Sequence, residues 1–103
     1  MKIEALLRKI AKIEENGGWG IQQLFEKDYE GGCPCFGGKF IVDGKVNEVW
    51  GRCWRVSDNV QDLNFYGDIK IGKAIKKCLD KQEWYNKYTL IIHKEPFLNQ
   101  PKQ

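Results

Sequence analysis

The sequence is poor in the residue types that most often carry catalysis. Its 103 residues include a single histidine, His93, and its fourteen acidic residues are scattered, with no visible pairing of carboxylates. No glycine-rich phosphate loop of the form G-x-x-x-x-G-K-S/T occurs. A nucleophilic triad of Cys33 or Cys35 with His93 has no local motif to support it. The sequence therefore predicts a protein that is not an enzyme and that needs no cofactor.

The four cysteines, Cys33, Cys35, Cys53 and Cys78, do not show the spacing of a metal site. Structural zinc sites usually leave about two to four residues between paired ligands. Here one residue separates Cys33 from Cys35, and the other two cysteines stand alone. We expect free thiols and no bound metal, because the chain shows no secretion signal. The sequence leaves open whether individual cysteines are free, bridged or metal-bound.

Long apolar runs are also absent. None approaches the roughly 18 residues that a membrane span requires, and no signal-peptide core follows Met1-Lys2. With 42% hydrophobic and 13% aromatic residues, the chain is too apolar to be disordered. The sequence predicts a cytoplasmic protein without membrane contact. We expect one domain over residues 1–95 and a short tail, 96–103, that begins at Pro96.

Two amphipathic helices are predicted. Near the N-terminus, apolar residues recur at helical spacing, namely Ile3, Leu6, Leu7, Ile10 and Ile13. Asn16-Gly17-Gly18 provides a stop, which predicts a helix over about 2–15. A second helix, over 69–83, begins after Asp68 as a plausible N-cap. Its apolar stripe consists of Ile71, Ala74, Ile75, Cys78 and Leu79.

Strands are predicted between the two helices and after the second. Asp43-Gly44 is a strong hairpin signal, because a type I′ turn needs positive φ at both central positions. The returning strand, about 46–57, is expected to place an aromatic face toward the core, formed by Val46, Trp50, Trp54 and Val56. Leu63 to Tyr66 and Tyr88 to His93 are further short strands. Residues 19–30 fit either a helix or a strand, and the sequence leaves that choice open.

These elements predict an α+β fold. A small antiparallel sheet, made of a β-hairpin centred on residues 39–57 plus a C-terminal strand, packs against the two amphipathic helices. The order resembles the α-β-β-β-α layout of double-stranded-RNA-binding domains and of the small HicA-type toxins. The resemblance rests on Glu15-Asn16-Gly17-Gly18-Trp19 and Asp68-Ile69-Lys70-Ile71-Gly72. HicA-type nucleases rely on a histidine in the early strands, and this chain has none before His93.

Charge supports nucleic-acid binding as an alternative function. Residues 1–66 carry nine basic and ten acidic side chains, whereas residues 67–103 carry eight and four. Lysines of the second helix could follow a phosphate backbone, and strand aromatics could stack on bases. The candidate residues for this function are Arg52, Trp54, Lys73, Lys76 and Lys77.

The aromatic content favours a protein-binding function instead. Thirteen aromatic residues exceed what one small core encloses easily, and aromatics dominate interface energetics. The candidates at element ends or in the glycine-rich loop 30–38 are Trp19, Phe36, Tyr66, Trp84 and Tyr85. We therefore expect a non-enzymatic inhibitor of a protein target, similar in general character to anti-CRISPR and other phage or mobile-element proteins. The partner and the oligomeric state are left open.

Overall fold

A computed structural model describes residues 1–25, 30–32, 35–52, 61–82 and 88–93. The side chains of residues 30–32, 35, 36, 52 and 61 are outside that description. In chain order the elements are α1 (Ile3–Glu15), a 3-10 helix (Ile21–Phe25), β1 (Glu30–Gly32), β2 (Cys35–Val42), β3 (Lys45–Arg52), β4 (Gln61–Tyr66), α2 (Ile69–Asp80) and β5 (Tyr88–His93). The predicted α+β class, with a small sheet and two amphipathic helices, is confirmed. Neither helix in the described part of the chain has the length and apolarity that a bilayer crossing requires.

Helix α1 ends and α2 begins where the local signals predict, whereas α2 ends at Asp80, earlier than the predicted 83. The backbone amide of Gly18 donates to the Ile13 carbonyl at 2.9 Å, which closes α1. Gly18 has φ +81°, a left-handed conformation that glycine adopts without steric cost. The Asp68 carboxylate accepts from the Lys70 amide at 2.8 Å and caps α2. The buried side of α2 carries Ile71, Ile75, Cys78 and Leu79.

The segment 19–30, which fits two kinds of structure, contains both. Ile21–Phe25 forms the 3-10 helix, and Glu30 begins β1. Ile21 and Phe25 are buried, and Leu24 is half-buried. Residues 26–29 lie outside the described residues.

The predicted hairpin at Asp43-Gly44 is confirmed, with the expected turn. Asp43 has φ 51° and Gly44 φ 78°, the two positive values that a type I′ turn requires. The register then pairs Val42 with Lys45 and continues to Cys35 with Arg52. The backbone amide of Asp43 also donates to the Met1 carbonyl at 2.9 Å. This bond joins the N-terminus to the turn.

The described strands form one five-stranded sheet in the order β1-β2-β3-β4-β5. It is mixed, because β5 runs parallel to β4, with Gln61 opposite Tyr88 and Tyr66 opposite His93. Helix α2 carries the chain back along the sheet, so β5 begins at the same end as β4, as in any β-α-β unit. The expected C-terminal strand is present, but its direction differs from the antiparallel arrangement predicted.

The helices pack on one side of the sheet, which we call the helix-covered face. Phe25 of the 3-10 helix packs against β2, since a Cβ on Gly38 would lie 2.8 Å from its side chain. Helix α2 packs against β4, since a Cβ on Gly72 would lie 3.0 Å from Phe65. Both helices therefore lie on this side of the sheet. Val49 points into this layer and is fully buried. We call the opposite side the open face, since no described element packs on it. By strand alternation and register it carries Lys39, Ile41, Val46, Glu48, Trp50, Asn64, Tyr66, Ile91 and His93.

The expected core face of β3 was assigned to the wrong side of the sheet. Val46 and Trp50 do share a face, but it is the open face, and Val46 is 51% exposed. Val49, on the other side, faces the helices because it lies opposite Gly38 and Phe65. Both sides of β3 carry an apolar residue, so alternation alone did not distinguish them. Trp54 and Val56, which completed the expected face, lie outside the described residues.

Candidate interaction surfaces

Trp19 is the candidate aromatic that the structure places at the surface, 48% exposed. It follows the glycines that end α1, and this loop is held firmly. Gln82 donates from Nε2 to the Gly18 carbonyl at 2.9 Å, and the bond is buried. A Cβ on Gly18 would lie 1.9 Å from the carbonyl oxygen of Cys78. Trp19 is therefore presented on an ordered loop, and its role in binding stays a prediction.

Tyr66 is not the exposed aromatic that its position at a strand end suggested. It is only 8% exposed, and its ring stacks on His93 with centroids 4.2 Å apart. Burial, and then the negative charge of Glu48, raise the pKa of its hydroxyl. The sequence-based expectation that Tyr66 faces solvent is wrong, because side chains of both neighbouring strands lie beside it on the open face.

The remaining candidates lie partly or wholly outside the described residues. Phe36 and Arg52 belong to β2 and β3, and only their backbone is described. Trp54, Trp84 and Tyr85 are not described at all, so their roles stay predictions. The expected binding loop 30–38 is largely strand, because Glu30–Gly32 and the start of β2 pair as a second hairpin.

A row of polar side chains crosses the open face at one level. Register places Lys39 opposite Glu48, Glu48 opposite Tyr66, and Tyr66 opposite His93. We call these four residues the polar row. Glu48 is 4% exposed and accepts a hydrogen bond from Trp50 Nε1 at 3.2 Å. Glu48 and Tyr66 are buried, whereas Lys39 is exposed and His93 is half-buried.

Neighbouring residues fix this row in place. His93 Nε2 and Asn64 Oδ1 are 2.8 Å apart, within hydrogen-bonding distance. The Trp50 ring lies over Gly37, where a Cβ would stand 2.0 Å from the ring. Sequence reasoning missed the row because its members come from four separate strands. The one signal in the sequence is Glu48, which lies between Val46 and Trp50 on the same face of one strand and so indicates a polar position on the open face.

Exposed apolar side chains gather at the hairpin end of the molecule. Ile41 and Val46 lie opposite each other next to the turn and are 61% and 51% exposed. The Asp43–Met1 bond brings the N-terminus beside them. We call this the hairpin-end surface, formed by Met1, Ile41 and Val46, all exposed.

Clustering gives this surface its significance, because isolated exposed apolar residues are ordinary. Contiguous apolar patches more often mark interaction sites. Ile41 and Val46 could have been found from sequence as the apolar pair that flanks Asp43-Gly44 on the side opposite Val42. The hairpin-end surface is thus a candidate interface that the sequence-based site residues did not include.

Helix α2 presents a line of exposed lysines, which we call the lysine stripe. Its spacing of three, four and four residues keeps one helical face, and its members are Lys70, Lys73, Lys77 and Lys81. Lys76 lies off the stripe, half-buried, and forms an ion pair with Asp80. The structure therefore joins two of the three predicted lysines, Lys73 and Lys77, and separates Lys76 from them.

Cys78 is a core residue, as its place on the apolar stripe predicts. It is fully buried, and its thiol donates to the Ile10 carbonyl at 3.3 Å. Burial, and secondly the charge of Glu14, raise the pKa of this thiol to about 12, so it stays protonated at neutral pH. Within the described ranges, no group of three or more histidine, cysteine or acidic side chains is placed to hold a metal ion.

Known proteins offer no guide to these surfaces. No protein-family model matches the chain. No curated protein and no solved structure matches it significantly.

Proposed function

We propose that this chain is a non-enzymatic binding protein that acts by occupying the surface of a protein partner. Stoichiometric inhibitors from phages and mobile elements are similar in size and in their lack of enzyme motifs. The observation that carries the proposal is the hairpin-end surface, where Ile41 and Val46 stand exposed as a directly opposed pair. Burying an exposed aliphatic side chain fully is worth about 1.5–3 kcal/mol.

The hairpin-end surface is well ordered before any partner binds. The type I′ turn fixes the positions of Ile41 and Val46, and the 2.9 Å bond from Asp43 holds Met1 beside them. A preformed surface loses little conformational entropy on association. This supports an interface that binds as a rigid body.

Charged side chains surround the apolar residues. Lys2, Asp43 and Lys45 are all exposed and lie next to Met1, Ile41 and Val46 in the chain or across the turn. An apolar centre with a polar rim is the common anatomy of protein interfaces. The mixed charges of the rim favour a partner surface that carries both signs.

The test is capture of a partner from the native host, followed by binding measurements with variants. Ile41→Thr with Val46→Thr keeps two β-branched residues in the strands but removes apolar surface. We expect this pair to weaken binding at least tenfold. The matched control is Lys70→Gln with Lys77→Gln, which changes two exposed residues of α2 and should leave binding unchanged.

Binding measured with Trp19→Ala shows at which end of the molecule the interface lies. Trp19 lies at the C-terminal end of α1, whereas Met1 at the other end of that helix contacts the turn. Loss of binding in Trp19→Ala alone would place the interface at the opposite end of the molecule. Full binding by the Ile41→Thr, Val46→Thr variant would contradict the proposal for the hairpin-end surface.

The lysine stripe supports nucleic-acid binding as a second candidate function. Residues 68–82 carry five lysines and two aspartates, and one aspartate, Asp80, pairs with Lys76. Exposed lysines at helical spacing can contact successive phosphates, which makes affinity strongly dependent on salt.

A further inference from the structure

Strand β5 forms one edge of the sheet made by the described strands, in which β4 is its only neighbour. Its six residues contain no lysine, arginine, aspartate, glutamate or proline. Natural edge strands are usually protected by lysine, proline, a bulge or short length. The ladder with β4 runs through all six residues without a bulge. Among the described residues, strand β5 therefore has no lysine, proline or bulge that would protect its edge.

The outer side of β5 is occupied at its start only, as far as the described residues extend. The backbone amide of Tyr88 donates to the Asp80 carboxylate at 3.0 Å, so it points away from β4. Amide and carbonyl groups alternate between the two edges along a strand. Leu90 and Ile92 therefore point their backbone groups outward as well, and no described residue bonds to them there.

Apolar side chains lie beside these outward groups on the helix-covered face. Leu90 is half-buried, and Ile92 and Ile69 are exposed. Ile69 and Gly72 share one side of α2, and a Cβ on Gly72 would lie 3.3 Å from Ile92. The edge thus combines an apolar flank with backbone groups that no described residue pairs. Lys76 and Asp80, also on this side of α2, pair with each other and add no net charge.

We propose that two copies of this chain associate through their β5 edges, antiparallel and related by a two-fold axis through Ile91. Residues directly opposite in a sheet lie on the same face, so this register continues both faces from one copy to the other. It places Leu90 opposite Ile92 of the second copy, and Thr89 opposite His93. The two Leu90–Ile92 pairs supply four backbone hydrogen bonds, and the sheet becomes ten-stranded.

Self-pairing fits the edge better than pairing with a foreign strand. The chosen register uses residues 89–93, and leaves Tyr88 bonded to Asp80. Each opposed pair is compatible in chemistry: two aliphatic pairs on the helix-covered face, one isoleucine pair at the axis, and two threonine–histidine pairs on the open face. An apolar edge without lysine, arginine or acidic residues is complementary to itself, and the association needs no other molecule. The inference is independent of the proposed partner function.

Sedimentation velocity of the full chain tests the proposal. We expect a mass of twice 12.0 kDa for the natural sequence. Ile91→Lys would put two like charges opposite each other at the axis and should give a monomer. Val46→Lys is the matched control, because Val46 is a β-branched residue of the same open face away from β5, and it should remain dimeric.

Two further results separate the outcomes. Circular dichroism and thermal unfolding show whether Ile91→Lys still folds. Mixing folded Ile91→Lys with Ile91→Glu should restore a dimer, since the charges at the axis then attract. A monomeric mass for the protein of natural sequence would overturn the proposal. This holds even if β5 binds an added strand peptide. A dimer that persists in both charged variants would overturn the placement at β5.

Discussion

The rings of Tyr66 and His93 stack across the parallel pair of strands, with centroids 4.2 Å apart and planes 12° from parallel. The two residues lie directly opposite each other in the register. Asn64 lies within hydrogen-bonding distance of the imidazole at 2.8 Å. The stack therefore helps to fix the last strand to the sheet on the open face, where no described helix covers it.

Stability at high pH should depend on Tyr66. Burial and Glu48 raise the pKa of its hydroxyl in the folded protein, so the folded state holds this proton more tightly than the unfolded state. The linked contribution to the free energy of unfolding is complete below about pH 10 and is lost as the pH rises through the raised pKa. Urea unfolding over a pH series measures it. In Tyr66→Phe the decline above about pH 10 should be shallower, and an unchanged slope would contradict this prediction.

Gly18 should tolerate no side chain. Gly18→Ala places a Cβ 1.9 Å from the Cys78 carbonyl oxygen at φ +81°, so we expect a loss of at least about 2 kcal/mol in the free energy of unfolding. Gly44→Ala is the control, because Gly44 has φ +78° but no atom within 4 Å of the added Cβ. That variant should lose only about 1 kcal/mol, from backbone strain. Equal losses in urea unfolding would show that the close packing at Gly18 has no added cost.

The thiol of Cys78 should be protected in the native state. It is buried, and its pKa is raised to about 12, whereas alkylation requires an accessible thiolate. Mass spectrometry of iodoacetamide-treated protein should find Cys78 unmodified in buffer and modified in proportion to the unfolded fraction in urea. Modification in buffer as fast as in fully unfolded protein would contradict its place in the core.

Nucleic-acid binding, if present, should depend on the lysine stripe. Fluorescence anisotropy with duplex RNA and single-stranded DNA at low salt measures it. Lys73→Gln with Lys77→Gln should reduce the slope of log affinity against log salt by about 2, since each phosphate contact contributes about 0.7–0.9. Lys39→Gln with Lys45→Gln removes the same charge from the sheet and is the control. Absence of binding to either nucleic acid at low salt would exclude this second candidate function.

Local signals explain how much of the fold could be predicted from the sequence. The end of α1 depends on Asn16-Gly17-Gly18, and the hairpin depends on Asp43-Gly44, so a few adjacent residues determine each. The burial of Cys78 followed from helical periodicity in the same way.

Non-local pairing explains what the sequence could not show. Whether Trp50 or Val49 faces the core depends on which strands lie beside β3, and both faces of that strand are partly apolar. Tyr66 is covered because Glu48 and His93, distant in sequence, lie beside it. The hairpin-end surface also depends on a distant contact, since Met1 is brought to the turn by its bond with Asp43.

The parallel crossover from β4 through α2 to β5 has a consequence for the order of folding. The hairpin of β2 and β3 can close as soon as its own residues are available, because its contacts are local. Strand β5 can dock only after α2 has folded back over the sheet, since its partner precedes that helix in sequence. During synthesis, the edge of β4 therefore stays unpaired until β5 docks. The nascent sheet is most vulnerable to aggregation at this stage.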